Sequence, residues 1–206
     1  MKKVTFSHYE EYKRTQIEKS SRQLYDAEGK QIHWITQKEA ERVAEHFKQN
    51  SLKANFGICH GSKIGFEVSL FRTLLGFNII GTDIGEFAEN NPYMLRHDFH
   101  EVRDDWLRSV DFIYSNSLDH SYDPRKALIA WCECLHESGV MYIEWSPFHT
   151  EAHGADCFGA TADEYKNLIN ETGFTISDVI DIPEDNSEFY SVERTIFSCQ
   201  RNSDIT

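Results

Sequence analysis

Residues 55–67 read Asn55-Phe-Gly-Ile-Cys-His-Gly-Ser-Lys-Ile-Gly-Phe-Glu67, and residues 77–83 read Phe77-Asn-Ile-Ile-Gly-Thr-Asp83. The first opens with a short apolar run, passes through a turn bracketed by Gly61 and Gly65, and leads into a segment with Phe66, Leu70, Phe71 and Leu74 at helical spacing. The second is another apolar run ending on an acid. A strand, a tight turn, an amphipathic helix over 62–75 and a second strand make a crossover unit, which joins parallel neighbours in a sheet covered by helices.

Downstream the alternation continues. Strands are expected at 94–97, 110–114 and 140–144, with a helical turn at 104–108. Pro124, suited to a first helical position because it lacks an N–H, opens a helix to about Leu135, with Gly139 past its end as a C-cap. Thr161-Ala-Asp-Glu164 reads as a capping box for a helix reaching Gly173. Strands at 174–182 and 192–199 follow, able to pair as a hairpin across 183–191. Upstream, residues 1–50 are polar and helix-prone, with no strand expected. A helix is expected from His8 to Leu24. Thr36-Gln-Lys-Glu39 reads as a second capping box, opening a helix that faces Ala40, Val43, Ala44 and Phe47 inward.

The expected fold is therefore α/β: a seven-stranded, mostly parallel, doubly wound Rossmann-like sheet with helices on both faces, carried by residues 51–206, behind an N-terminal helical extension over 1–50. The extension either packs on the sheet or lies over the site as a lid, in which case Tyr9, Tyr12 and Tyr25 are candidates to line the pocket.

The bulk composition narrows the function. The 206 residues are 40% hydrophobic, which suits one folded domain, and the formal net charge is −13. No basic run exceeds Lys2-Lys3, so nucleic acid and anionic membrane surfaces are disfavoured as partners. The five cysteines, Cys59, Cys132, Cys134, Cys157 and Cys199, are odd in number and irregularly spaced, and are read as reduced thiols. No signal-peptide pattern and no run of ~20 apolar residues occurs, so a cytoplasmic protein is expected.

In doubly wound sheets, ligands sit beyond the carboxyl ends of the strands. The loops there are informative. Gly61 and Gly65 let backbone approach a ligand closely. Asp83, about 20 residues after Gly61, suits the two hydroxyls of a ribose. Asp98 can accept from an adenine amino group, with Phe99 as an apolar wall. The fourth strand exits into the polar segment Ser115-Asn-Ser-Leu-Asp-His-Ser-Tyr-Asp-Pro124.

The succession of glycine loop, Asp83, Asp98-Phe99 and this polar segment resembles the class I S-adenosylmethionine-dependent methyltransferases over roughly residues 54–200. The resemblance implies S-adenosylmethionine as cofactor. Gly57, His60, Gly61, Ser62 and Gly65 then belong to the loop around its methionine part. Asp83 and Ile84 fall at the ribose, Asp98 and Phe99 at the adenine, and Ser115 and Asn116 beneath the sulfonium. The first loop departs from the family pattern: its glycines are more widely spaced, and Gly57 stands near where an acid is expected. The implied reaction is methyl transfer to a small-molecule acceptor, read as O-methylation. His120 is the first candidate to take the acceptor's proton and His149 the second. His149 and His153 are four apart, but Ser146-Pro147 and Gly154 do not favour a helix, and no bound metal is expected. Trp145, Phe148 and Phe158 are either acceptor-pocket or core residues. Self-association into a homo-oligomer is left open. Two alternatives stand: a non-catalytic cofactor-binding relative acting through a protein partner, and a dinucleotide-dependent oxidoreductase, against which the missing Gly-x-Gly-x-x-Gly counts.

Overall fold

A computed structural model describes residues 1–21, 33–50, 53–184 and 192–202. In chain order it contains β1 (Lys2–Lys3), α1 (Tyr9–Ser20), α2 (Gln37–Asn50), β2 (Phe56–His60), α3 (Phe66–Leu75), β3 (Asn78–Asp83), β4 (Met94–Arg96), β5 (Val110–Ser115), α4 (Pro124–Cys134), β6 (Leu135–Trp145), β7 (Phe158–Gly159), α5 (Ala162–Glu171), β8 (Phe174–Ile182) and β9 (Arg194–Arg201), with short 3-10 turns between them. Seven strands form one sheet in the order β4-β3-β2-β5-β6-β9-β8. The first five run parallel, while β9 is antiparallel to both β6 and β8. This is the expected doubly wound sheet with its terminal hairpin.

The central strands are apolar almost throughout because both their faces are covered. Alternation divides their side chains. Ile58, Ile113, Met141 and Ile143 pack with Leu128 and Trp131 of α4 and Leu168 of α5. Cys59, Phe112, Tyr114 and Tyr142 pack with Val43 and Phe47 of α2 and Val68 and Phe71 of α3. β2 pairs with β3 on one side and β5 on the other. The chain leaves β2 toward β3 and later crosses to β5, so the loops beyond β2 and β5 part and leave a crevice. All five cysteines are free and buried. Among the described residues no helix is long and apolar enough to cross a membrane.

Several expectations change. β1 is a strand inside the extension where none was expected, pairing antiparallel with β7. The helix expected from Ser62 starts at Phe66, because Gly61, Lys63 and Gly65 all take positive φ and hold the segment as a turn. The helix from His8 is α1, which ends at Ser20; part of the expected span and Tyr25 lie outside the described residues. Gly139 caps no helix. α4 stops at Cys134 and runs directly into β6, where Leu135 pairs with Val110 and a Cβ on Gly139 would fall 2.8 Å from the Val110 carbonyl. The box at Thr161 and Glu164 forms in both directions. The box at Thr36 forms by half: Thr36 Oγ1 accepts from the Glu39 N–H, but the Glu39 carboxyl turns into the core.

That carboxyl enters a buried node. The Arg194 guanidinium lies 3.6 Å from Glu39 Oε2 and 3.3 Å from Glu144 Oε1. The Tyr114 hydroxyl is 2.7 Å from Glu39 Oε1 and 3.1 Å from Glu144 Oε2. One O–H donates once, so the second contact needs a proton on a carboxyl. Burial raises both acids, and for Glu144 the neighbouring Glu39 raises it further. The node joins α2, β5, β6 and β9, and Trp34 completes it by donating its indole N–H to Glu144. Arg194→Met leaves two buried acids without this cation, which costs ~3–5 kcal/mol of stability. Urea unfolding at pH 8 checks it; a loss under ~1 kcal/mol contradicts the role given to the node.

Candidate active site

The crevice is built from the loop ends of β2, β3, β4 and β5. After β2 the chain turns at Gly61, whose φ of +73° suits glycine; a Cβ there would fall 2.4 Å from Ser117 Cβ. The Ser62 N–H donates to the Thr82 carbonyl at 3.0 Å. The Lys63 N–H donates to Asp83 Oδ2 at 2.8 Å. Asp83 Oδ1 accepts from the Gly85 N–H at 2.7 Å and from the Ser20 hydroxyl of α1 at 3.1 Å. Two backbone amides thus fix the Asp83 carboxylate at the end of β3, and α1 adds a third donor.

Asp98, beyond β4, is held by a relay. Its Oδ1 lies 2.6 Å from His100 Nδ1, and His100 Nε2 lies 2.6 Å from the Ser121 hydroxyl. The order matches that of a catalytic triad, but Ser121 is wholly buried, so the relay orients Asp98 and leaves no nucleophile exposed. Tyr9 of α1 donates to the other oxygen, Oδ2. Burial alone would raise the Asp98 carboxyl, but His100 and Tyr9 hold it well below the usual carboxylate range. Phe99 is fixed beside it, its carbonyl accepting from Trp131 Nε1 at 2.9 Å.

Two adjoining cavities open here. The first, about 120 Å³, is lined by Tyr12, Asp83, Ile84, Asp98 and Phe99 among others. That is well below the ~300–1,000 Å³ of small-molecule pockets, because side chains of α1 fill it. The second, about 540 Å³, is lined by Trp34, Glu67, Asn116, Asp119, His149 and Asp156 among others. Lys19, Gly61, Lys63, Ser117 and His120 border both.

The structure brings Gly61, Asp83, Ile84, Asp98, Phe99 and His120 to the first cavity, and Gly61, Ser62, Asn116, His120 and His149 to the second. Gly57, His60, Gly65 and Ser115 line neither. Gly57 sits within β2 between Ile79 and Phe112. His60 stacks on Trp131 at 4.9 Å, and burial pushes its pKa down to about 3, so it is neutral. Gly65 abuts Asn91 and Met94. Ser115 donates to the His60 carbonyl at 3.1 Å. Gly57, His60 and Ser115 support the turn from the strands, and Gly65 closes it.

His120 faces both cavities, with Nδ1 3.2 Å from the Ala155 carbonyl and 3.2 Å from Lys19 Nζ. His149 is buried in the 3-10 turn Pro147–Thr150, its Nδ1 3.3 Å from the Ser146 N–H, and burial lowers its pKa. His153 pairs through its backbone with Asp156 and shares no helix with His149. Phe158 is core against Tyr165, whereas Phe148 is exposed at the second cavity.

Gln16, Lys19 and Ser20 of α1 also line the first cavity, and no sequence signal marked them. Ser117 and Asp119 lie inside the flagged polar segment. Glu67 was hidden by its place on an apolar helix. It is buried, Asn116 Nδ2 donates to it at 3.4 Å, and burial pushes its pKa up to about 7.

Comparison of the sequence with protein-family models and with curated proteins finds no match. Solved structures do match. The 1,6-didemethyltoxoflavin-N1-methyltransferase of Burkholderia thailandensis, solved with 1,6-didemethyltoxoflavin and S-adenosylhomocysteine, superposes with TM-score 0.74 at 12% identity, over 97% of this chain and 93% of that one. An S-adenosylmethionine-dependent methyltransferase from Clostridium acetobutylicum gives 0.65 at 13%, over 82% and 93%. The geranyl diphosphate C-methyltransferase of Streptomyces coelicolor, solved with Mg²⁺, geranyl diphosphate and S-adenosyl-L-homocysteine, gives 0.67 at 11%, over 96% and 100%. At such identities the likeness establishes the fold: a Rossmann-like methyltransferase fold.

Glu67 gives a signed prediction. A carboxyl whose pKa rises from 4.5 to about 7 on folding favours the fold below 4.5, and that contribution is lost as pH climbs through 7. Glu67→Gln removes the loss, so the variant gains on the wild type by on the order of 2–3 kcal/mol between pH 4.5 and 8 in urea unfolding. Parallel stability profiles contradict the burial account.

Proposed function

We propose that the chain binds S-adenosylmethionine in this crevice and transfers its methyl group to a hydroxyl of a small-molecule acceptor. The observation that carries the reading is the convergence of Asp83, Asp98 and the Gly61 turn on one crevice, with a buried acid, Glu67, in the adjoining cavity. Asp83 is fixed to accept from a ribose diol. Asp98, Ile84 and Phe99 offer an acceptor and apolar walls for adenine. Gly61 gives passage into the larger cavity, where Glu67 with Asn116 supplies the carboxyl for the methionine ammonium that Gly57 lacks. Glu67 is buried and meets the neutral amide of Asn116, so a ligand ammonium suits it.

Of the extension, α1 is assigned the lid. Ser20 and Tyr9 donate to the same two acids that the nucleoside would use, and α1 must move for a nucleoside to enter the small cavity. α2 packs on the sheet. The cofactor supplies an activated methyl on a good leaving group, so the protein's work is alignment, exclusion of water and removal of the acceptor's proton. Trp34, Phe148 and His149 wall the space where the acceptor would lie, and His120 at its floor takes the proton. The acidic surface and free buried thiols support a cytoplasmic protein acting on a neutral or cationic metabolite rather than on nucleic acid.

Calorimetric titration with S-adenosylhomocysteine is expected to show one-site micromolar binding, weakened at least tenfold in Asp83→Asn because charge-assisted bonds to the ribose are lost. No binding to the wild type overturns the reading. Once an acceptor is in hand, His120→Ala lowers turnover ~10²–10⁴-fold with cofactor affinity retained. Unchanged turnover removes His120 as the base.

A further inference from the structure

We propose that Asp119, His120 and Asp156 form a divalent-cation site between the two cavities, plugged in this conformation by the Lys19 ammonium of α1. Asp119 and His120 come from the 3-10 turn Leu118–His120 after β5, and Asp156 from the segment after β6. One ligand atom from each lies within 4.8 Å of the other two. His120 Nε2 is 3.8 Å from Asp119 Oδ1, and His120 Nδ1 is 3.5 Å from Asp156 Oδ1. Ligands of a first-row cation held at ~2.1 Å sit roughly 3–4 Å from one another, so small side-chain rotations close the set.

Two observations point to a missing cation. The Asp119 side chain is only 8% exposed, and its Oδ1, which faces His120, has no hydrogen-bond partner. A buried carboxylate oxygen without a donor is costly and rare unless a cation completes it. The centre of the cluster already attracts positive charge. Lys19 Nζ pairs with Asp156 Oδ1 and lies 3.2 Å and 3.3 Å from the two ring nitrogens of His120. An ammonium is a poor final occupant there. It brings one charge against two carboxylates, and its reach to His120 and Asp156 leaves Asp119 Oδ1 unsatisfied. A divalent ion balances both acids.

The donor set selects the ion. Two carboxylate oxygens and one imidazole suit Mn²⁺ or Zn²⁺, whereas Ca²⁺ prefers six to eight oxygens. The Ala155 carbonyl, 3.2 Å from His120 Nδ1, accepts an Nδ1–H and leaves the Nε2 lone pair toward Asp119. Three protein ligands leave positions open on the larger cavity, where His153, 3.9 Å from Asp156 Oδ2, stands as a further donor. An acceptor oxygen bound there would be acidified by the ion, which would take over the task given to His120 in the empty site. Because Lys19 rides on α1, filling the site and lifting the lid are coupled.

The test uses the full chain and Mn²⁺ alone, so it stays readable even if the methyltransferase reading fails. Free Mn²⁺ is followed by electron paramagnetic resonance in wild type, Lys19→Met and Lys19→Met with Asp119→Asn. Lys19 is partly exposed, so its replacement leaves the core intact. The expected result is one saturable site in Lys19→Met, at least tenfold tighter than in wild type, and lost when Asp119→Asn is added. No saturable binding by Lys19→Met, or binding that survives Asp119→Asn, overturns the site. Equal affinity in wild type and Lys19→Met overturns the plug.

Discussion

The backbone at Gly61 passes so close to Ser117 that a single methyl group would collide with it, and this contact sets the geometry of everything above the sheet. β2 and β5 are neighbours whose loops must part to make a crevice, yet the crevice must stay narrow enough for one ligand to touch both. Glycine at 61 meets both demands. It turns the chain with positive φ, sends the Lys63 amide to Asp83, and leaves Ser117 and His120 facing the same space. With a bulkier residue the two loops would be forced apart, and the carboxylate at the end of β3 would lose the Lys63 amide, one of its two backbone donors.

Helix α1 gives the site its second character. Its polar side chains neutralise the crevice from outside: Tyr9 on Asp98, Ser20 on Asp83 and Lys19 on Asp156. Each is a local, reversible contact on a helix carrying Tyr12 and Gln16 as its buried residues. These acids therefore have donors on α1, and the ligand proposed for the crevice would compete with the helix for them. In the proposed lid, a closed helix and an occupied crevice would be alternatives, and a ligand shifts such a pair only by what it binds better in one state than in the other.

The sheet was legible in the sequence because its signal is redundant. Each central strand is apolar on both faces, each crossover helix carries its own stripe, and Thr161-Glu164 and Pro124 mark helix starts by local chemistry. Asp83 and Asp98 were legible because they stand at or just beyond the carboxyl ends of their strands, where ligands sit in such a sheet. Three things were not. Glu67 and Glu39 sit on helices whose apolar neighbours disguise them, and only the packing of α3 on β5 and α2 on the sheet reveals that they are buried. The contributions of Ser20 and Lys19 depend on where a weakly amphipathic helix docks, which no local pattern specifies. Gly57, His60, Gly65 and Ser115 were expected at the ligand from the resemblance, but Gly57 and His60 lie within β2, Ser115 ends β5 and Gly65 closes the positive-φ turn, and none of them lines either cavity.

The measurement that bears most directly on the account is a crystal structure of the chain grown with S-adenosylhomocysteine. The account predicts ribose hydroxyls on Asp83, adenine between Ile84 and Phe99, the ligand ammonium at Glu67, and α1 withdrawn so that Ser20 and Tyr9 no longer reach their acids. A ligand bound elsewhere, or one seated in the crevice with α1 still bonded to Asp83 and Asp98, would contradict it.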